Sequence, residues 1–177
     1  MDPSEFQSFL ASRRSVREYE AGGITVEEKD YILSAASACP TAGNLEAWDV
    51  VIVSDEGQLE GLSDAAGGQR QMLESGCAFV VCANYVRSMS RYGERGILYA
   101  VQDATIAAAY MMLAAHAIRL QTCWMGAFDE AEVKEILELP AHVRPVAILS
   151  VGAGSVSPAS PGRMDPEEHA HYDIWEE

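Results

Sequence analysis

The chain has 177 residues, 49% hydrophobic and 22% charged, a size and composition that fit one globular domain able to bury a core. Its formal net charge of -15 argues against nucleic acid and anionic membrane surfaces as partners, because both are bound through an excess of Lys and Arg. Of the 12 cations only Lys29 and Lys134 are lysines, so the places where arginine gathers are informative.

Ser4 to Ser12 carries Phe6, Phe9 and Leu10 at helical spacing and predicts a first helix. It delivers Arg13-Arg14-Ser15-Val16-Arg17, three guanidiniums and a hydroxyl within five positions of an acidic chain. Such a cluster needs something negative, either a bound phosphate or the carboxylates of neighbouring Asp and Glu. Gly22-Gly23 is a turn, and Thr25 with Glu28 forms a capping box for a helix to about Ala38, with Tyr31, Ile32, Ala35 and Ala36 inward. In Cys39 to Trp48, Pro40 and Gly43 stop helix while Thr41 and Asn44 offer donors and acceptors, so the stretch lines a site or simply connects to the next strand.

Residues 48–53 predict a buried strand, 56–66 a helix, and Gly67-Gly68-Gln69-Arg70 a break with an amide at its tip. Residues 78–83 predict a second strand. Tyr85 to Gly96, which mixes Arg, Tyr and Gly, reads as a solvated loop, with a lid over substrate as the alternative. Tyr99 to Arg119 has no Gly or Pro and holds eight alanines, which predicts a core helix of roughly 31 Å that another helix can approach closely. Only Ile106 to Ala115 is uninterrupted by polar residues, short of the ~20 a bilayer span requires.

Residues 121–125 predict a third strand, Asp129 with Glu132 caps a helix to Leu137, and 145–151 predict a fourth strand. From Gly152 the chain is rich in Pro, Gly and Ser and then acidic, yet ends with Tyr172, Ile174 and Trp175. Such an arm either docks on a neighbouring subunit or is disordered. His169 and His171 lack zinc spacing, and no metal site is expected. Cys39, Cys77, Cys82 and Cys123 form no CxxC, and MDPSEFQSFL lacks the basic and apolar regions of an export signal. Reduced thiols in a cytoplasmic protein are the expectation. Helices alternating with four short strands indicate a layered α and β protein, and no strand is followed by the GxGxxG of a dinucleotide-binding fold.

The order of motifs resembles the nitroreductase family of flavin-dependent oxidoreductases over almost the whole chain. Arg13, Arg14, Ser15 and Arg17 match its R-[RH]-S-x-[RK] segment; Pro40, Thr41 and Asn44 before Trp48 match P-[ST]-x-x-N. Cys123 to Asp129 matches C-W-[IM]-G-A-F-D after a long helix, and Arg163 matches an Arg in a Pro-rich segment after the last strand. The resemblance implies an α+β, three-layer sandwich in which helices flank a mixed central sheet, with the long helix at the core of a homodimer. It implies a single FMN-binding domain over residues 1–177, with 152–177 as a C-terminal arm around the partner. FMN would lie at the subunit interface, its phosphate held by Arg13, Ser15, Arg17 and Arg163, with Arg14 against the ribityl chain or ring.

By the same resemblance Thr41, Asn44 and Gln69 would bond the ring edge or ribityl hydroxyls in a loop opened by Pro40, and Trp124, Met125 and Gly126 would pass over the ring. The sequence departs from the family pattern N-x-Q-P-W at Glu46 and Ala47, which removes the usual Gln contact. The implied activity is ping-pong electron transfer from NADH or NADPH to a nitroaromatic, quinone or activated alkene, with no protein acid or base assigned. A non-catalytic flavin carrier or redox sensor, and a specialised relative such as a reductive dehalogenase, are the alternatives.

Overall fold

The computed structural model describes residues 2–154, 159 and 162–175. α1 (Pro3–Ser12) starts at Asp2, whose carboxylate accepts from the Ser4 and Glu5 N–H groups while Glu5 accepts from the Asp2 N–H. α2 (Val26–Ala36) begins with the same device, built from Thr25 and Glu28. Ile32 and Ala36 form its buried stripe, whereas Tyr31, expected inside, stands at the surface.

Four strands, β1 (Trp48–Val53), β2 (Ala78–Asn84), β3 (Gln121–Met125) and β4 (Val143–Gly152), form one sheet in the order β1-β2-β4-β3. Each neighbouring pair is antiparallel. The parallel component is a bridge from Ser15 to Thr122, which lays the segment after α1 along the outer edge of β3.

Alternation along β2 explains the layering. Phe79, Val81 and Ala83 pack with α2 and α6 (Arg95–Ala117); Ala78, Val80 and Cys82 pack with α3 (Glu56–Ala65), α4 (Gln71–Ser75) and α7 (Glu130–Ile136). Cover on both faces is why the strand reads as an unbroken apolar run. The result is the expected three-layer α+β sandwich.

The elements depart from the sequence expectation most between Tyr85 and Gly96, at the start of α6 and at the start of β4; α2 and α6 also end two residues early, and α4 is not among the expected helices. Tyr85 to Gly96 is not a solvated loop: α5 (Tyr85–Tyr92) is a helix capped by the Asn84 side chain, ended by Gly93 at φ 56° and continued almost directly by α6. A Cβ on Gly96 would stand 2.6 Å from the Met89 nitrogen, so this glycine permits the close crossing of α5 and α6 instead of breaking a helix. α6 therefore starts at Arg95 rather than Tyr99 and runs 23 residues, about 34 Å.

Its most apolar 18-residue stretch, with a mean hydropathy of 1.4, would allow a bilayer span, but Ala100, Ala104, Ala108, Met111 and Ala115 are buried in the core between α6, α2 and the sheet. β4 starts two residues before Pro145. The ladder is irregular there: Val81 pairs with Ala147 and Cys82 with Pro145, so Val146 is skipped and the missing proline N–H falls at a bulge.

All four cysteines are free and buried. In the arm, Asp165 and Glu168 cap a 3₁₀ turn at Pro166–His169, and His171 stacks on Trp175 with ring centroids 4.1 Å apart. Tyr172, Ile174 and Trp175 are 80%, 71% and 78% exposed, so the arm's apolar end does not dock on its own chain. Residues 155–158, 160, 161, 176 and 177 of the expected arm lie outside the described residues.

Candidate functional site

The arginine segment is placed by the end of α1. Arg14 folds back so that its Nη1 donates to the carbonyls of Ala11 and Arg13, capping the helix C-terminus. Ser12 Oγ lies 2.7 Å from His116 Nε2, and the Phe9 and His116 rings are 4.9 Å apart, which fastens α1 to the C-terminal turn of α6. The chain then turns extended at Arg13. The Val16 N–H donates to the Thr122 carbonyl at 3.0 Å, and the Val16 side chain is buried.

Arg13 and Arg17 both lie near Cys123, the middle residue of β3, and Arg163 lies near Arg13. Burial, then the like charges of Arg163 and Arg14, hold the Arg13 guanidinium below its ordinary pKa. Burial pushes the Cys123 thiol up, while Arg17 and Arg13 pull the other way. Arg163 itself is exposed, reaching this point from the arm.

Among the described residues no carboxylate pairs with these cations. The two ion pairs are elsewhere, Arg87 with Asp49 at 2.7 Å and Arg144 with Glu130. Arg13 Nη1 is buried and has no hydrogen-bond partner among the described residues. A buried, unpaired guanidinium N–H beside other cations is costly unless an anion arrives. Internal carboxylate pairing of the arginine cluster is not seen among the described residues, and the chemistry of the donor set suits a phosphate.

The second group of candidates sits on the loop before β1. Thr41, the 3₁₀ turn Ala42–Asn44 and Glu46 are folded tightly, with Gly43, Asn44 and Glu46 at φ 60°, 56° and 48°. The Ala42 N–H donates to Asp103 Oδ1 at 2.9 Å, the Ala47 N–H to Asp103 Oδ2 at 3.1 Å, and the Glu46 N–H to Thr41 Oγ1 at 3.2 Å. Pro40, Thr41 and Ala42 form one wall of an open cleft of ≈ 530 Å³, and Tyr99, Gln102 and Asp103 of α6 form part of the other.

Glu46 is held by its main chain: its carbonyl accepts from Arg87 Nη1 at 2.6 Å, and its side chain is exposed. Among the described residues the Asn44 side-chain amide makes no hydrogen bond.

The remaining candidates divide. Met125 is buried in the core under α3 and α7, so only its backbone can serve a site; Trp124 packs on the opposite face, with its indole nitrogen within 3.2 Å of where a Cβ on Gly126 would be. Gly126 is exposed and lines a ≈ 220 Å³ recess with Phe128 and Val101; Val101 also lines the larger cleft. Gln69 is satisfied locally: it donates to the Ala66 carbonyl at 3.1 Å and accepts from Gln71 at 2.8 Å.

The arginine group lies beside His116, whose pKa burial and then the Arg13 charge lower, and the Thr41 loop lies on Asp103. Thirteen residues of α6 separate these two positions, about 20 Å. One chain thus carries two groups of candidate residues along one helix. The sequence reading missed Asp103, Arg87 and His116 as the residues that hold them. A lone carboxylate inside an alanine-rich core helix was the available signal for Asp103, since a buried charge must have partners.

Comparison with known proteins agrees with the fold and the motif order. A match to the Nitroreductase family spans residues 10–73 and 60–153. An FMN reductase (NADPH) of Bacillus subtilis (strain 168) is 30% identical over 157 residues, covering 81% of this chain and 63% of the relative, so the chain spans less than two thirds of that protein. A second protein of that strain, FMN reductase (NAD(P)H), is 27% identical over 180 residues, covering 94% of this chain and 72% of the relative. The solved NfrA1 nitroreductase of B. subtilis superposes with a TM-score of 0.87 at 27% identity, over 95% of this chain and 74% of that one. The family match runs through both the arginine segment and the Thr41 loop, leaving out residues 1–9 and the arm that carries Arg163, and the chain belongs to the nitroreductase family.

Proposed function

We propose that the chain is an FMN-dependent oxidoreductase that passes electrons from NADH or NADPH to a small organic acceptor such as a nitroaromatic, quinone or activated alkene, by a ping-pong cycle. The observation that carries this reading is the orphaned, buried Arg13 Nη1 among unneutralised arginines in a chain of net charge -15 from this family. When bound, the flavin supplies the hydride and electron chemistry.

Arg13, Arg17 and Arg163, with the Ser15 hydroxyl, hold its phosphate, and Arg14 sets the turn that aims Arg13. The Asn44 amide and the Thr41 loop would supply hydrogen bonds to the flavin, and the Trp124–Gly126 backbone would offer further N–H donors to it. Gln69 and the Glu46 carboxylate have no assigned part. In this reading protons come from solvent through the open cleft; among the described residues Asp103 is the buried acid that lines it, and it is engaged by two N–H groups.

The working form in this reading is a homodimer. The two groups of candidate residues lie about 20 Å apart on α6, and an antiparallel partner helix would bring the loop of one protomer to the arginines of the other. Ile97, Leu98 and Tyr110 on α6 and Tyr172, Ile174 and Trp175 on the arm are exposed, the surface such a partner would cover. We read residues 1–177 as one domain with 152–177 as an arm, and the four free buried thiols suit the cytoplasm.

The test is to purify the protein with FMN, measure its mass in solution, and add NADH or NADPH without oxygen. A yellow dimer that bleaches on addition and regains colour with a quinone supports the reading. Flavin that stays yellow makes the protein a carrier, and a chain that takes up no FMN ends the proposal.

A further inference from the structure

The Thr41–Ala47 loop holds three residues in the left-handed region, two of them not glycine, a conformation that persists only where the surroundings enforce it. Two side chains enforce it, one from α6 and one from α5, and neither belongs to the loop. From α6, the Asp103 carboxylate is 2% exposed and accepts one N–H from each end of the turn, Ala42 on one oxygen and Ala47 on the other. From α5, Arg87 donates through Nη1 to the carbonyls of Glu46 at 2.6 Å and Trp48 at 3.0 Å, and through Nη2 to Asp49 at 2.7 Å. Asn84 donates to the other Asp49 oxygen at 2.7 Å, so the anchor of Arg87 is itself fixed. Arg91 adds a bond to the Gly43 carbonyl at 3.3 Å. The Asn44 amide is left with no hydrogen bond to the described residues.

We infer that Asp103 and Arg87 are positioning residues, an anion from α6 and a cation from α5 that hold the Thr41–Ala47 loop in the one conformation that presents Asn44 to the cofactor. The inference rests on the flavin reading above and deepens it. The bonds are charge-assisted and come from two helices locked to each other at Gly96, so the loop is ordered before any ligand arrives and loses little freedom on binding. Asp103→Asn keeps an acceptor for Ala42 but turns an NH₂ group toward the Ala47 N–H, donor against donor. Arg87→Ala opens the loop from the surface, where the side chain is 42% exposed, without touching the core.

The experiment compares the FMN-loaded wild type with Asp103→Asn and Arg87→Ala. Expected are a rise in the FMN Kd of tenfold or more for Asp103→Asn and several-fold for Arg87→Ala, and, at saturating FMN, a shifted visible flavin spectrum and midpoint potential in both. A purely structural role would lower thermal stability and leave spectrum and potential at saturation unchanged; that result overturns the inference. If Asp103→Asn does not fold, Arg87→Ala decides alone. Amide exchange at Ala42 and Ala47, read without flavin, separates the two readings. Protection that is lost in Asp103→Asn in a protein that takes up no FMN supports the clamp and overturns the flavin reading, whereas protection unchanged by the substitution overturns the clamp.

Discussion

Replacing Arg13 by Met separates a binding arginine from a structural one, because the two roles predict opposite signs. Met is unbranched and apolar and occupies much of the same path, so the substitution removes charge with little void. In the flavin-free protein Arg13 Nη1 is buried and unpartnered, and the charges of Arg163 and Arg14 stand nearby. An unsatisfied buried polar group costs about 1–3 kcal/mol, so Arg13→Met leaves the flavin-free protein unchanged or stabilises it by up to that amount. A hydrogen bond to a charged partner contributes about 1.5–3 kcal/mol, so FMN affinity falls about 10- to 150-fold. Urea unfolding of the flavin-free protein gives the first quantity, and titration of flavin fluorescence the second. Inorganic phosphate should raise the melting temperature of the wild type and have less effect on the variant, since a ligand stabilises only in proportion to its binding of the native state. A variant that loses more than about 1 kcal/mol of stability while binding FMN like the wild type refutes the assignment.

Gly43→Ala should cost about 1–2 kcal/mol from its φ of 60° alone and also weaken FMN binding. The new Cβ would lie 2.3 Å from the Tyr92 hydroxyl, and adding Tyr92→Phe should recover the clash but not the backbone part, as read by melting temperatures of the single and double variants. His116 gives a pH signature. Burial and then the Arg13 charge depress its pKa, so the unfolded chain takes up a proton at a pH where the folded protein stays neutral. The stability this contributes is whole above the unfolded pKa of about 6.5 and is lost as pH falls through the lower folded value. His116→Asn should flatten the fall of melting temperature below that pH; an unchanged slope would show that His116 is not its source.

The layers were legible because burial on both faces leaves a plain mark. Ala78 to Ala83 is apolar at every position since helices cover both sides of β2, and the boxes Thr25 with Glu28 and Asp129 with its following turn mark helix starts. Gly96 misled because a glycine that admits a crossing helix and a glycine that ends one look alike in sequence; the distinction lies in Met89, seven residues back. The start of β4 was hidden by Pro145, whose strand place depends on the bulge opposite Cys82. The arginine motif was legible as chemistry, yet Arg13 meets Arg163 only through the fold, so sequence alone does not distinguish a phosphate from nearby carboxylates as its partner. Asp103 showed least, because its partners are backbone groups of a loop 61 and 56 positions away.

The spacing of Asp103 and His116 turns α6 into a ruler that cannot be recut. Removing one residue between them would rotate everything beyond it by about 100° and shorten the helix by about 1.5 Å. Either the carboxylate would leave the Thr41 loop or the imidazole would leave Ser12. The Gly67-Gly68 turn, with open space around both glycines, could change length without disturbing that spacing, but between these two side chains the register admits no insertion or deletion.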